Sequence, residues 1–282
     1  MARDSLIFSK KEAHPLIELI RPLNAFMSMI GVYLGYAISM SGIFFDLSIG
    51  YALLSVFFIS GAGQTINDYF DAAIDAKQKK HRPIPSGRIQ KKHVLIFALL
   101  LFGLGILFAS FINPLTFAIA SFFAVLLFLY SATMKSVKFF GNIIVALSVG
   151  FTFIFGASVH TITPLVVLVS FSPFFANWAR EIIKDVEDAE QDRGNKLSLS
   201  HILNARGVNI IVGIVLFFTL ATAYLPSFLA GAGFIYTLLV TFANLIFILA
   251  GRDLMEKRPE QASALMKKGM LVGLVALASL LL

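Results

Sequence analysis

The sequence predicts an all-α fold, a polytopic membrane protein of nine transmembrane helices, and three observations predict it. Of its 282 residues 58% are hydrophobic and only 14% charged, and the mean hydropathy of +0.84 lies far from the usage of water-soluble domains. Nine apolar stretches are each long enough to cross a hydrocarbon core about 30 Å thick, which takes roughly 20 helical residues. Lysine and arginine fall in every second connection between those stretches, as orientation in a membrane requires.

In chain order the stretches are 20–42, 46–67, 93–111, 114–133, 141–160, 162–183, 208–225, 228–250 and 265–282. They are continuous rather than alternating, so helices satisfy their backbone polar groups where barrel strands would show a period of two. The flanking charges justify each in turn. Arg3, Lys10, Lys11 and Arg21 precede or open the first stretch; Lys77 to Lys92 separate the second from the third; Lys135 and Lys138 separate the fourth from the fifth; Arg180 to Arg206 separate the sixth from the seventh; Arg252 to Lys268 separate the eighth from the ninth. The remaining four connections hold no lysine or arginine. A wrong span count would scramble this alternation, so the expectation is a multi-pass cell-membrane protein with a cytoplasmic N-terminus.

The first fifteen residues mix charges of both signs and have no apolar core, unlike a cleaved signal peptide. The absence of cysteine excludes disulfides, thiolate metal sites and a cysteine nucleophile. The net charge of +7 is accounted for by topology and headgroup attraction, so no nucleic-acid partner is expected. No obligate protein partner is evident either. Every Asp and Glu except Asp46 falls on the cytoplasmic side, which implies a one-sided site.

Two acidic stretches stand out, at 67–75 after the second helix and at 181–192 after the sixth. Along a continuing helix Asn67, Asp71, Asp75 and Asp68 project at about 0°, 40°, 80° and 100°, all on one flank. Around Asp185, Asp192, Glu181 and Asp188 lie within about 60° on one side. Crowded carboxylates near a low-dielectric region need a cation. Hard oxygen donors without cysteine point to Mg²⁺ or a similar ion, which shares its coordination with water and phosphate oxygens. Lys77, Lys79, Lys80, Arg82, Arg88, Lys135 and Lys184 are near enough in sequence to bind those phosphates.

The segment "NDYFDAAID" and its continuation "HRPIPSGRI", the opening "LIELIRPLNA" and the second stretch "DVEDAEQD" resemble the UbiA-type intramembrane prenyltransferases over nearly the whole chain. Within that family "IELIRPLN", "HRPIPSGRI" and "REIIKDVED" are most similar to the branch that forms the second ether bond of archaeal membrane lipids. The resemblance implies one transmembrane domain over 1–282, with a polar cap on the cytoplasmic side above a central cavity open to lipid. It implies that Asn67 and Asp71, supported by Asp68 and Asp75, hold Mg²⁺ against a prenyl diphosphate, and that the second stretch does the same through Asp185, Asp188 and Asp192. The family's Asp-x-x-x-Asp spacing is met by Asp188 and Asp192, while the preceding "KD" makes Asp185 an equal match, so both pairings stand. Arg82, Lys184, Tyr130 and Lys135 are implied at the diphosphate, the last two being five residues apart where the family often has four. Arg21, Asn24 and Asn177 are candidates for the acceptor or a headgroup.

The expected reaction is Mg²⁺-dependent transfer of a polyprenyl group, geranylgeranyl in this branch, from its diphosphate to the hydroxyl of geranylgeranylglyceryl phosphate. An aromatic acceptor, as in quinone biosynthesis, is the alternative within the family. A cation or anion transporter is the alternative of another class, disfavoured because none of the nine stretches carries a charge at its centre.

Overall fold

The computed structural model describes residues 14–133, 138–191 and 203–282, and every regular element among them is helical. In chain order these are α1 (Pro15–Ile20), α2 (Pro22–Ser39), α3 (Leu47–Gln78), α4 (Lys91–Ser110), α5 (Pro114–Ala132), α6 (Lys138–Ala157), α7 (Pro164–Gln191), α8 (Ala205–Ala223), α9 (Leu225–Ala230), α10 (Phe234–Met255) and α11 (Pro259–Ala278). Seven segments, formed by α3, α4, α5, α7, α8 with α9, α10 and α11, are long and apolar enough to cross a membrane; α6 contributes the shorter apolar run Gly141–Ala157. Large apolar side chains such as Leu100, Phe217 and Phe242 stay exposed on the outer surface, where hydrocarbon is the natural solvent.

Local chemistry sets the helix ends. Proline occupies the first turn of α1, α2, α5, α9 and α11, where its missing N–H costs nothing. Asn113 and Thr116 form a reciprocal capping box at the start of α5. Asp46, at the opposite end of α3 from its acidic stretch, caps that helix by accepting from the Ile49 amide at 2.8 Å. Its other oxygen receives the Tyr36 hydroxyl at 3.2 Å and meets His160 Nε2 at 3.1 Å. The Ile49 hydrogen bond, aided by those from His160 and Tyr36, holds this carboxyl below its ordinary range.

Three expected boundaries are corrected. The first long helix begins at Pro22 rather than 20, with the short α1 ahead of it, because Arg21 adopts the left-handed conformation (φ 50°) directly before Pro22, which lacks an N–H. The eighth helix begins at Phe234 rather than 228, because Gly231 at φ 67° ends α9 and Gly233 precedes α10. The ninth begins at Pro259 rather than 265, which takes Lys267 two turns into the helix instead of leaving it at the mouth.

Consecutive helices pair, α3 with α4, α6 with α7 and α10 with α11, and α2 closes against α6. The α2–α6 seam is glycine-built: a Cβ on Gly156 would stand 1.8 Å from the Val32 carbonyl oxygen, and one on Gly35 2.0 Å from that of Phe153. Small residues let backbones approach this closely. Gly156→Ala is therefore expected to force the helices apart at a cost of about 1–3 kcal/mol, read as a lower melting temperature in detergent; an unchanged melting temperature would show that the seam is slack.

Candidate active site

α3 continues without a break past the membrane-length run, and this presents the first acidic stretch on a helical surface. The flank divides. Asn67 and Asp71, about 40° apart on one side of the flank, both line a cavity of about 870 Å³ at the centre of the bundle, and Asn67 Nδ2 lies 3.4 Å from Asp71 Oδ2. Asp68 and Asp75 sit at the edge of the flank and are held by arginines. Asp68 Oδ1 accepts from Arg21 at 2.6 Å and from Arg82 at 3.0 Å, while Asp75 Oδ2 accepts from the same Arg82 nitrogen at 2.6 Å. Arg21 also donates to Gln64 at 2.8 Å. Asp68, Asp71 and Asp75 are all buried.

The αL break at Arg21 explains this arrangement. It turns the chain between α1 and α2, and from the turn the guanidinium reaches the α3 carboxylate 47 residues further along the sequence. Arg82 leaves the connection after α3 and folds back onto that helix. Arg88 fastens the same connection to α1 through Glu18 at 2.8 Å and donates to the His81 carbonyl.

From the opposite wall α7 brings Glu181, Lys184, Asp185 and Asp188 to the same cavity. Buried Asp185 accepts from Asn142 Nδ2 of α6 at 2.7 Å. Glu181 pairs with Arg180 at 2.6 Å. Tyr130, from the end of α5, lines the cavity over Gly141, where a Cβ would stand 2.7 Å from its ring. It lies within electrostatic reach of Asp71, Glu181 and Asp185, so it stands between the two acidic stretches. Asn177 is buried two turns before Asp185, and its Nδ2 has no hydrogen-bond partner among the described residues although it borders the cavity. Asn24 is exposed at the rim. Lys135 and Asp192 lie outside the described residues.

Away from the acids the cavity wall turns apolar. Met27, Gly31, Val149 and Phe153 form it on the α2–α6 side, and Val240, Phe247, Leu274 and Leu277 on the α10–α11 side. One end therefore suits phosphate and cations and the other suits hydrocarbon. Gln64 and Asn142 were not singled out by sequence; each is a polar residue in an apolar run, and Gln64 lies one turn before Asp68. Among the described residues no three acidic or histidine side chains converge as a ready-made metal cage.

The sequence profile of the UbiA prenyltransferase family matches residues 28–275. The chain belongs to that family and is a membrane prenyltransferase. Among its relatives, the digeranylgeranylglyceryl phosphate synthase of Methanopyrus kandleri is 37% identical over 94% of this chain and 98% of its own length. That of Methanosarcina mazei is 36% identical over 92% and 96%. A solved structure described as digeranylgeranylglyceryl phosphate synthase superposes with a TM-score of 0.80 at 30% identity, covering 93% of this chain and 96% of its own. A UbiA homolog from Archaeoglobus fulgidus bound to DMAPP and Mg²⁺ shares the fold, with a TM-score of 0.69 at 16% identity over 94% and 99%.

Proposed function

We propose that the protein transfers a geranylgeranyl group from its diphosphate to the free hydroxyl of geranylgeranylglyceryl phosphate, forming the diether of an archaeal-type lipid. The observation that carries this reading is the single cavity into which both acidic stretches open and whose wall becomes apolar beyond them. Relatives of matching length are digeranylgeranylglyceryl phosphate synthases, which favours the glycerol acceptor over an aromatic one. In the membrane, α2 and α6 join the seven apolar segments to make nine crossings, and the acidic end faces the cytoplasm, as the alternation of basic connections supports.

The donor set fits Mg²⁺: Asn67, Asp71, Asp185 and Asp188 offer hard oxygens to one cavity, and this ion needs only one or two carboxylates when phosphate oxygens and water complete its shell. Those residues would hold it, with Asp192 joining in the alternative pairing of the second stretch. Once bound, the ion would neutralise charge developing on the departing diphosphate. Lys79 and Lys184, which border the same end, bind the diphosphate oxygens directly, and Arg82 keeps Asp68 and Asp75 neutralised while touching the cavity. Tyr130 sits between the two halves, with Lys135 of the following connection as a further diphosphate contact. The apolar wall excludes water from the allylic cation that forms as C1 parts from the bridging oxygen. The acceptor hydroxyl then attacks C1, its proton leaving with the departing diphosphate, and is oriented from the rim by Asn24 and from the wall by Nδ2 of Asn177.

Purified protein given geranylgeranyl diphosphate, Mg²⁺ and either geranylgeranylglyceryl phosphate or 4-hydroxybenzoate is expected to yield the diether in the first case and no prenylated ring in the second, by mass analysis of extracted lipid. A prenylated aromatic product without diether would overturn the acceptor assignment.

A further inference from the structure

Three lysines border the cavity without an ion pair among the described residues: Lys79, Lys184 and Lys267. Lys79 and Lys184 flank the two acidic stretches. Lys267 does not: it belongs to α11, among Met270, Leu271 and Leu274 on an otherwise apolar wall. It lies eight residues into its helix, about 12 Å from the helix start, inside the apolar segment Pro259–Leu281. A charge at such depth is costly unless it reaches headgroups or faces a polar interior. Lys268, rotated about 100° around the helix, does not line the cavity, whereas Lys267 does. The preceding Met266 is fully buried in the cluster that contains Ala179, Ile182 and Ile183 of α7, so Lys267 stands near the level at which the α7 acids begin.

The geometry points to Lys267 as the residue that binds the phosphate of the acceptor lipid. This rests on the glycerol-acceptor reading above. That reaction brings two anionic headgroups into one cavity, the diphosphate of the donor and the phosphomonoester of the acceptor, and they repel unless each has its own cation. The acidic end serves the first. Arg21, Arg82 and Arg180 also border the cavity but are committed to Asp68, Asp75 and Glu181. Lys267 is thus the cavity-lining cation, among the described residues, that is neither ion-paired nor attached to an acidic stretch. Held by its phosphate on the α11 side, the acceptor can turn its glycerol hydroxyl toward C1 while its own chain follows the apolar wall.

The test is steady-state kinetics of Lys267→Gln with the two substrates varied separately, together with direct binding of radiolabelled geranylgeranylglyceryl phosphate and of its dephosphorylated counterpart. Loss of a charge-assisted hydrogen bond is expected to raise KM and Kd for the phosphorylated acceptor by about ten-fold or more, with KM for geranylgeranyl diphosphate unchanged and binding of the dephosphorylated lipid unaltered. Lys267→Arg should restore most of the affinity and Lys268→Gln should match the parent, each variant being shown monodisperse in detergent. If the parent forms diether and Lys267→Gln retains the parental KM and Kd for the acceptor, the assignment of Lys267 fails while the function stands. If the parent forms no diether, the function fails and the role of Lys267 with it. Equal losses for both acceptor lipids would also overturn it, by marking Lys267 as structural.

Discussion

Replacing Asp71 or Asp188 with alanine is expected to lower Mg²⁺-dependent release of diphosphate from geranylgeranyl diphosphate by on the order of 10²–10³-fold or more, the scale of losing one preorganised electrostatic contact to a developing charge. The two residues stand on α3 and α7, over a hundred residues apart, yet border one cavity. Each contributes a carboxylate to the acidic end, where Asp68 and Asp75 are instead held by Arg21 and Arg82. Asp188 is half-buried at the end of α7, so its truncation leaves the helix packing intact. Asp71 is buried, and Asp71→Asn serves as the variant that keeps its volume. Both proteins should elute as folded species in detergent. Full activity in both would sink the assignment of the acidic end as a metal and diphosphate site, and titration of Mg²⁺ against rate should show a raised requirement wherever activity is residual.

A second large effect is expected at Arg82, expressed in stability as much as in rate. One guanidinium nitrogen bridges Asp68 and Asp75, at 3.0 and 2.6 Å, and both carboxylates are buried. Asp68 retains Arg21 when Arg82 is removed, but no other cation is paired with Asp75 among the described residues. Stranding a buried carboxylate costs about 3–5 kcal/mol, so Arg82→Ala should melt well below the parent in detergent and lose most activity. The double variant Arg82→Ala, Asp75→Asn removes the orphaned charge and should regain most of the stability without regaining the activity, a coupling that a mutant cycle isolates. Additive losses in the cycle would show that the arginine stabilises the connection after α3 by some other contact.

The sequence makes the helical class and the two acidic flanks legible because both depend on local periodicity. The azimuths even contain the later division: Asn67 and Asp71 lie on the cavity side of the flank, and Asp75 and Asp68 toward the side the arginines take. Which of them turn inward is decided by Arg21 and Arg82, and nothing local announces the Arg21 contact. That pairing depends on a left-handed residue before Pro22 and on how α1 and α2 pack against α3. Arg21, a candidate for the acceptor or a headgroup by sequence, has Gln64 and Asp68 as its spatial neighbours while it also borders the cavity. Asn142 was invisible because a lone amide in an apolar helix has many uses, and only its 2.7 Å hydrogen bond to Asp185 selects one. Lys267 was hidden by a boundary: a helix begun at 265 leaves it at the mouth, and one begun at Pro259 carries it into the wall.

The glycine seam between α2 and α6 has a bearing on how substrate length can change in evolution or by design. With backbone resting on backbone at Gly35 and Gly156, the two helices that carry Met27, Val149 and Phe153 to the cavity cannot move relative to each other without separating. The facing side is upholstered by Phe247, Leu271, Leu274 and Leu277, whose volume can be exchanged one methylene at a time. Selection for longer or shorter hydrocarbon tails therefore acts through side-chain volume, while the backbone of the α2–α6 side serves as the fixed jaw of a vice.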